Sequence, residues 1–379
     1  SYGIILGSLL STVTIFAFPM LLLSMVSPFA IKLLAKEDTV GITAGKIYAI
    51  STAGSVVGTF LTSFVLIPYL GSFSSLTIMI IILTLLYILG NRQKIRRTLL
   101  GVILIILVLL IPESESGEHI IDETESAYNI IRVGKKGDVY TLYLNDERWV
   151  QSTYRKGFIS TGGYMDFMLL GKPLTDINNL LILGAGGGTS IKQFLFFSPE
   201  AQIDAVEIDP KVIEAARKYF GLADNPRLKI HFDDARPFLN RTQKKYDVIE
   251  IDMFSGGPFV PFYLTTQEFF QMVFKKLNSK GLMLTNVLND GRDGTLVFHI
   301  GNTAKTIFPS VFTIDLKKNV LLIAFEEKIS LKQVKLKLKN NPDQRINKLT
   351  EYALENIKEF QIQNGYAVFT DDKAPVEKI

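Results

Sequence analysis

Five acidic side chains stand near the ends of successive apolar segments in the second half of the chain. Glu207 ends the first segment, Asp233 and Asp234 follow the second, and Glu250 and Asp252 belong to the third. Open parallel sheets bind their ligands at the carboxyl ends of the strands. There a glutamate can accept hydrogen bonds from the two hydroxyls of a ribose, and an aspartate can accept one from an adenine amino group. Asp252, at the end of its segment, is a candidate general base.

A glycine-rich turn precedes these acids. Residues 180–183 form a continuous apolar run, as expected of a strand buried on both faces, and lead through Gly-Ala-Gly-Gly-Gly into a helical segment. Strand, glycine turn and helix open a nucleotide-binding fold, and Glu207 follows about twenty residues later. The weaker alternative is a turn that serves tight packing alone. We therefore assign Gly184, Gly186 and Gly188 to a cofactor site with Glu207.

Two nucleotide cofactors fit this arrangement. The spacing of the turn is GxGGG, which differs from the GxGxxG of hydride-transfer enzymes that bind NAD. The carboxylate pair Asp233-Asp234, after a predicted strand at 228–232, can meet an adenine amino group, as in S-adenosylmethionine (SAM) sites. The sequence therefore favours SAM over NAD.

The composition excludes several other kinds of site. The chain has 379 residues, enough for two domains, and its first ~110 residues are almost wholly apolar. It has no cysteine and three scattered histidines, so neither a disulfide framework nor a metal site is predicted. The net charge of +4 comes mostly from short basic clusters, which argues against a nucleic-acid surface.

The apolar half predicts a multi-pass helical membrane domain over residues 1–112. Its four candidate spans cover residues 4–34, 44–70, 73–89 and 98–111, and the last is short against the usual ~20 residues. Pro19 and Pro28 interrupt the first span, whereas Gly54 and Gly58 give the second a GxxxG face for helix packing.

Two arguments disagree about the topology. Basic residues at 32–46 and 92–97 mark the first and third loops as cytoplasmic. A complete fourth crossing would then place the second half of the chain outside the cell. SAM, however, is a cytosolic metabolite, so we expect a cell-membrane protein whose transferase domain faces the cytosol.

The second half reads as an α/β protein with a small layer before it. Residues 113–125 are acidic and predict a linker, and residues 126–175 predict a small antiparallel β-layer followed by a helix at 164–170. A Rossmann-like SAM-binding transferase domain at 176–330 has seven predicted strands and ends in a hairpin. Residues 331–379 form a helical extension and tail. The loop at 254–263 predicts either a lid or an irregular turn with buried aromatics.

Single acids in this domain have structural alternatives. Asp209 precedes Pro210 and fits a helix N-cap. Glu250 lies within a buried strand, where it either pairs with a neighbouring cation or shapes the site.

From residue 126 to 327 the chain resembles spermidine synthase and related aminopropyltransferases, and the apolar half resembles their membrane-fused branch. The resemblance rests on the order and spacing of SAYN, WVQ, GYMDF, LGAGGG, VEID, DDA, YDVIEID and TDDKAPVE. It implies a Rossmann-like transferase fold with SAM or decarboxylated SAM as cofactor, methylthioadenosine as product and no metal.

The resemblance also assigns residues. Asn129 stands where the family has a nucleoside-contacting glutamine, and Gln151 keeps a similar polar group. The other cofactor positions it implies are Glu207 at the ribose, Asp234 at the adenine and Ala235 as a backbone donor. Asp252 matches the first aspartate of the DxxD segment, which accepts the proton of the attacking amine, and Tyr164 lines the acceptor side.

Three positions depart from the family pattern on the amine side. Gly187 replaces the aspartate of the GGGDG turn, Ser255 replaces the second aspartate of DxxD, and Met165 replaces a polar residue. We therefore expect alkylation of a small-molecule or lipid-like acceptor rather than of free putrescine. The alternatives are a SAM-dependent methyltransferase and a catalytically silent SAM-binding membrane sensor. A homodimer is compatible with the sequence.

Overall fold

The structure is a computed structural model that describes residues 2–90, 119–252, 260–289 and 295–376. The chain forms two compact units, Ser1–Pro112 and Glu113–Glu377. The predicted span at 98–111, the basic cluster at 92–97, Ser255 and most of the loop at 254–263 lie outside the described residues.

The described part of the first unit consists of helices joined by short breaks. Its elements are α1 (Tyr2–Ser24), α2 (Val26–Leu34), a 3₁₀ turn (Glu37–Thr39), α3 (Val40–Leu61), a π-helical turn (Thr62–Leu66) and α4 (Ile67–Gly90). Two stretches, Leu6–Leu34 and Glu37–Gly90, are long and apolar enough to cross a membrane.

Pro19 does not interrupt the first span, although the sequence predicts that it does. Pro19 lies inside α1, and the break comes at Met25, just before α2. The predicted boundary between residues 70 and 73 coincides with Gly71, whose φ of 80° is non-helical. Glycine tolerates that conformation because it has no Cβ.

The second unit begins with a four-stranded antiparallel sheet in the order β1-β2-β3-β4. The strands are β1 (His119–Glu125), β2 (Ile130–Lys136), β3 (Val139–Leu144) and β4 (Val150–Arg155). The predicted linker is therefore wrong for residues 119–125. Its acidic side chains are accommodated at the sheet edge, where Glu123 pairs with Arg132 of β2.

The larger sheet has eight strands among the described residues, in the order β12-β10-β11-β9-β8-β5-β6-β7. A 3₁₀ helix (Tyr164–Leu170) and one helical turn (Gly171–Leu174) lead into it. The strands are β5 (Asn179–Leu183), β6 (Gln202–Glu207), β7 (Leu228–Phe232), β8 (Tyr246–Ile251), β9 (Leu277–Leu288), β10 (Ser310–Asp315), β11 (Asn319–Phe325) and β12 (Ile357–Glu359). The predicted hairpin is confirmed as β10-β11. The expected total of seven strands is one too few, because three residues of the C-terminal extension pair with β10.

Helices cover both faces of this sheet. They are α5 (Thr189–Phe197), α6 (Pro210–Tyr219), α7 (Ala235–Arg241), α8 (Gln267–Lys275), α9 (Thr295–Lys305), α10 (Leu331–Lys339) and α11 (Asn347–Asn356). Alternate residues of each strand enter different cores. Ile182 and Val248 pack with α5 on one face, whereas Leu183 and Ile249 pack with α7 and α8 on the other.

Strand β5 is the point at which the strand order reverses. It pairs in parallel with β6 on one side and with β8 on the other. Ligand crevices of open α/β sheets lie at the carboxyl ends of strands at such a point. This topology brings the glycine turn, Glu207 and Asp252 to one edge.

Candidate active site

The glycine turn after β5 is built on left-handed backbone. Gly184, Gly186 and Gly188 have φ values of 91°, 50° and 71°. Gly188 is the N-cap of α5, and the backbone N–H of Gly184 donates to the carbonyl of Val206, 3.0 Å away. A Cβ at these positions would force a strained conformation, so glycine is required where the chain turns from strand to helix.

Glu207, at the end of β6, faces this turn. One of its carboxylate oxygens accepts hydrogen bonds from the backbone N–H groups of Ala185 and Gly186, both at 3.2 Å. The other accepts from the backbone N–H of Asp209 at 3.1 Å. Burial raises the pKa of Glu207, while these backbone hydrogen bonds oppose the rise. A carboxylate has about four acceptor sites and these three bonds leave one, so Glu207 can still accept from a ribose hydroxyl.

Asp234 caps the helix that follows β7. Its Oδ1 accepts from the backbone N–H of Arg236 at 2.9 Å, and its Oδ2 accepts from the Tyr263 hydroxyl at 2.9 Å. Ala235 is buried in the first turn of α7. The neighbouring Asp233 instead forms an ion pair with Arg241. Of the predicted carboxylate pair, Asp234 is thus the member that has no cationic partner within the described part of the chain.

The small sheet contributes Asn129 and Gln151. The Asn129 amide donates to Oδ2 of Asp209 at 3.0 Å and accepts from the Asn145 amide at 2.9 Å. The N-cap role predicted for Asp209 is confirmed, because its Oδ1 accepts from the backbone N–H of Lys211 at 3.0 Å. Asp209 also ties the small sheet to the end of β6.

These groups surround a cleft of about 290 Å³. The predicted site residues that line it are Asn129, Gln151, Gly184, Gly186, Glu207, Asp234, Ala235 and Asp252. Gly188 shapes the turn behind it, and Tyr164 reaches it through Asp252. A larger cavity of about 620 Å³ is lined by none of the predicted site residues. The chemistry therefore belongs to the smaller cleft.

Asp252 is held by two neutral donors. Its Oδ1 accepts from the Asn286 amide at 2.9 Å, and its Oδ2 accepts from the Tyr164 hydroxyl at 3.1 Å. Desolvation raises the pKa of Asp252 to about 6, although both hydrogen bonds act to lower it. Burial and the charge of Asp252 raise the pKa of Tyr164 well above its ordinary value, so Tyr164 stays protonated. A carboxylate with a pKa near the working pH suits a general base.

Glu250 shares the cleft with Asp252. It is 2% exposed, and one of its oxygens accepts from the Ser190 hydroxyl at 2.6 Å. Burial raises its pKa to about 8, and the charge of Asp252 adds to the rise. Its partner among the described residues is thus a hydroxyl rather than a cation, which leaves the interpretation that Glu250 shapes the site.

Residues 167–314 match the family described as the spermine/spermidine synthase domain. The match lies within the second unit and includes the glycine turn, Glu207, Asp234 and Asp252. The resemblance drawn from the sequence motifs is thereby confirmed.

Two curated relatives extend this match. A probable polyamine aminopropyl transferase of Bifidobacterium longum is 33% identical over 276 residues, which cover 67% of this chain and 61% of the relative. A polyamine aminopropyltransferase of Vibrio vulnificus is 29% identical over 217 residues, covering 53% and 69%. The chain thus spans about three fifths of the first relative's length.

A solved structure supports the fold. The probable spermidine synthase of Corynebacterium glutamicum aligns with a TM-score of 0.54 at 20% identity, covering 67% of this chain and 97% of that one. The predicted Rossmann-like α/β fold of the second unit is confirmed.

Gly187 is one of the positions at which the second unit departs from the family pattern. The backbone N–H of Gly187 donates to the Ser152 hydroxyl at 2.9 Å. A Cβ at this position would lie 2.7 Å from the Cβ of Ser152 and 3.1 Å from the ring of Phe220. The small sheet therefore occupies the space that an aspartate would need. Met165, the second described departure, is buried and lines the cleft.

Four residues that hold the predicted groups escaped the sequence analysis. They are Ser152, Ser190, Tyr263 and Asn286. One signal could have found Asn286, since it is an amide inside the apolar strand β9. An unpaired amide is costly in such a place, so it predicts a nearby polar partner.

Proposed function

We propose that the chain is a membrane-anchored transferase of the aminopropyltransferase class. It moves the aminopropyl group of decarboxylated SAM to a nucleophilic acceptor and leaves methylthioadenosine. The observation that carries the proposal is Asp252, a carboxylate with a pKa of about 6, held between Tyr164 and Asn286 beside the nucleoside-binding groups.

The cleft has the donor and acceptor set that an adenine nucleoside needs. Glu207 offers acceptor capacity beside the glycine turn, and Asp234 is oriented by Tyr263 at the adenine end. Gly186 lines the cleft and has no side chain, so a ligand can approach the backbone of the turn closely. A bound sulfonium supplies an electrophilic carbon and a neutral thioether as leaving group, and it needs no metal.

The chain's residues supply position and a proton acceptor. As the acceptor nitrogen forms its new bond to carbon and the carbon–sulfur bond breaks, the nitrogen loses a proton to Asp252. Tyr164 and Asn286 each hold one oxygen of this carboxylate, so its lone pairs keep a fixed direction. Positioned proton transfer typically contributes about 10²- to 10⁴-fold in rate.

The acceptor is a less highly charged amine than free putrescine. A diamine brings two ammonium groups, and desolvating them requires carboxylates or dense hydrogen bonding in return. Gly187 leaves no room for one such carboxylate, and Met165 presents a thioether at another position. A small-molecule or lipid-like amine with an apolar body fits this lining better.

Membrane anchoring is supported by the first unit. Its two long apolar stretches carry large side chains exposed to the surroundings, such as Phe18 at 68% and Leu33 at 77%. Lipid would cover surfaces of this kind. We propose that the transferase unit lies on the cytosolic face, where its cofactor is made. The proposal includes a homodimer of the chain.

Product analysis tests the function. The full chain in detergent is incubated with labelled SAM or labelled decarboxylated SAM and with a panel of amines. Methylthioadenosine formed from the decarboxylated cofactor supports aminopropyl transfer. S-adenosylhomocysteine would identify a methyltransferase, and cofactor binding without any product would identify a silent binder. The Asp252→Asn variant serves as the inactive control.

A further inference from the structure

Glu250 occupies a defined place relative to the nucleoside groups. In the sheet order β7-β6-β5-β8, Asp234 follows β7, Glu207 ends β6 and Glu250 lies in β8. Neighbouring strands are about 4.8 Å apart. A nucleoside held by Asp234 and Glu207 therefore directs its sulfonium arm across the end of β5 toward β8.

Along β8, Glu250 lies deeper than the base. It precedes Asp252 by two residues on the same face, and each residue of a strand advances about 3.3 Å. Its register partners are Ile182 of β5 and Leu284 of β9, both fully buried and apolar. Among the described residues, Asp252 and Tyr164 interact with its charge, and Ser190 of α5 donates a hydrogen bond to it.

A carboxyl group in these surroundings is costly unless a cation or hydrogen bonds compensate for it. Ser190 provides one neutral hydrogen bond. The carboxyl nevertheless lines the cleft, so a ligand can reach it. A primary ammonium at the end of a three-carbon arm is the complementary group.

We propose that Glu250 anchors the primary ammonium of decarboxylated SAM and makes the cleft select that form over intact SAM. This inference rests on the proposed function. Intact SAM carries an additional carboxylate beside its amine, which would lie close to Glu250 and Asp252 and be repelled.

Calorimetric titration of the full chain with three ligands tests the inference. Methylthioadenosine lacks the ammonium, decarboxylated SAM carries it, and intact SAM carries the ammonium and a carboxylate. Above the pKa of about 8 at which Glu250 ionises, we expect Glu250→Gln to weaken the binding of decarboxylated SAM by roughly 10- to 100-fold, because a charged hydrogen bond is lost. The affinity for methylthioadenosine should change by less than about 2-fold. The ratio of the affinities for decarboxylated and intact SAM should become smaller.

The matched control is Asp247→Asn at the opposite end of β8. Asp247 accepts from the backbone N–H groups of Asn178 and Asn179, away from the cleft. This variant should keep the affinities of all three ligands. If Glu250→Gln does not fold, Glu250→Asp keeps the charge and shortens the reach, and it should weaken the binding of decarboxylated SAM while leaving that of methylthioadenosine unchanged.

The outcomes separate the two proposals. Unchanged affinity for decarboxylated SAM in a Glu250 variant that binds methylthioadenosine would overturn the inference and leave the proposed function standing. A wild-type chain that binds none of the three nucleosides would overturn both.

Discussion

The carboxylates at the two ends of the cleft have different kinds of hydrogen-bond donor. At the nucleoside end, Glu207 accepts three backbone N–H groups and Asp234 caps a helix. At the β8 end, Asp252 and Glu250 have neutral side-chain donors, and desolvation raises the pKa of each, to about 6 and about 8. Burial also raises the pKa of Glu207, but its backbone donors oppose the rise and fix its oxygens, which suits a group that accepts hydrogen bonds from a ligand. A carboxyl that exchanges a proton needs a pKa nearer the working pH.

The comparison predicts its largest effect at Asp252. Asp252→Asn should lower kcat by roughly 10²- to 10⁴-fold, since the amide cannot accept the proton. Methylthioadenosine affinity should remain within about 3-fold. Product formation in steady state and calorimetry provide the two measurements, with Asp247→Asn as the control on the same strand. Retained turnover would remove Asp252 from the chemistry.

At the other end, Glu207→Ala should act on affinity. Each charged hydrogen bond to the ribose contributes about 1.5–3 kcal/mol, so nucleoside affinity should fall by roughly 10-fold or more. The pH dependence of the remaining activity should be unchanged, because Asp252 keeps its partners. Calorimetry that gives wild-type nucleoside affinity would contradict the assignment. Glu207→Gln, which retains an acceptor oxygen for the glycine turn, controls for damage to that turn.

The packing at Gly187 allows a sharper test of acceptor specificity. Gly187→Asp alone should destabilise the chain by about 1–3 kcal/mol, because its Cβ overlaps Ser152. It should not create putrescine activity. Adding Ser152→Gly removes the overlapping side chain and should recover part of the stability, which thermal melting measures. Efficient use of putrescine by the wild-type chain would refute the proposed acceptor class.

The smallest expected effect is a shift of the pH profile. Activity requires ionised Asp252, so kcat/KM should rise with pH through about 6. The hydrogen bond from Tyr164 lowers that pKa. Tyr164→Phe should therefore raise it and move the acidic limb to higher pH. The profile measured between pH 5 and 9 checks the direction, and a shift toward lower pH would show that Tyr164 acts otherwise.

Much of this site follows from local sequence patterns. The apolar run before the glycine turn, the acid about twenty residues later and the Asp-Pro pair at a helix start each depend on a short stretch of chain. The structure has them as β5, Glu207 at the end of β6 and Asp209 at the N-cap of α6. The acidic composition of residues 119–125 predicts a linker, but these residues form β1. Glu123 of this edge strand pairs with Arg132 of β2, a contact that composition does not reveal.

Tertiary structure alone decided which side chains meet. Tyr164 lies 88 residues from Asp252, Ser190 lies 60 from Glu250, and Ser152 lies 35 from Gly187. Periodicity and spacing cannot encode such contacts, since they depend on how the small sheet, α5 and β8 pack around the end of β5. The sequence by itself therefore determined the nucleoside end of the cleft, where short segments carry their own ligands. The β8 end required the fold, because its pKa values and its available space arise from distant residues brought together.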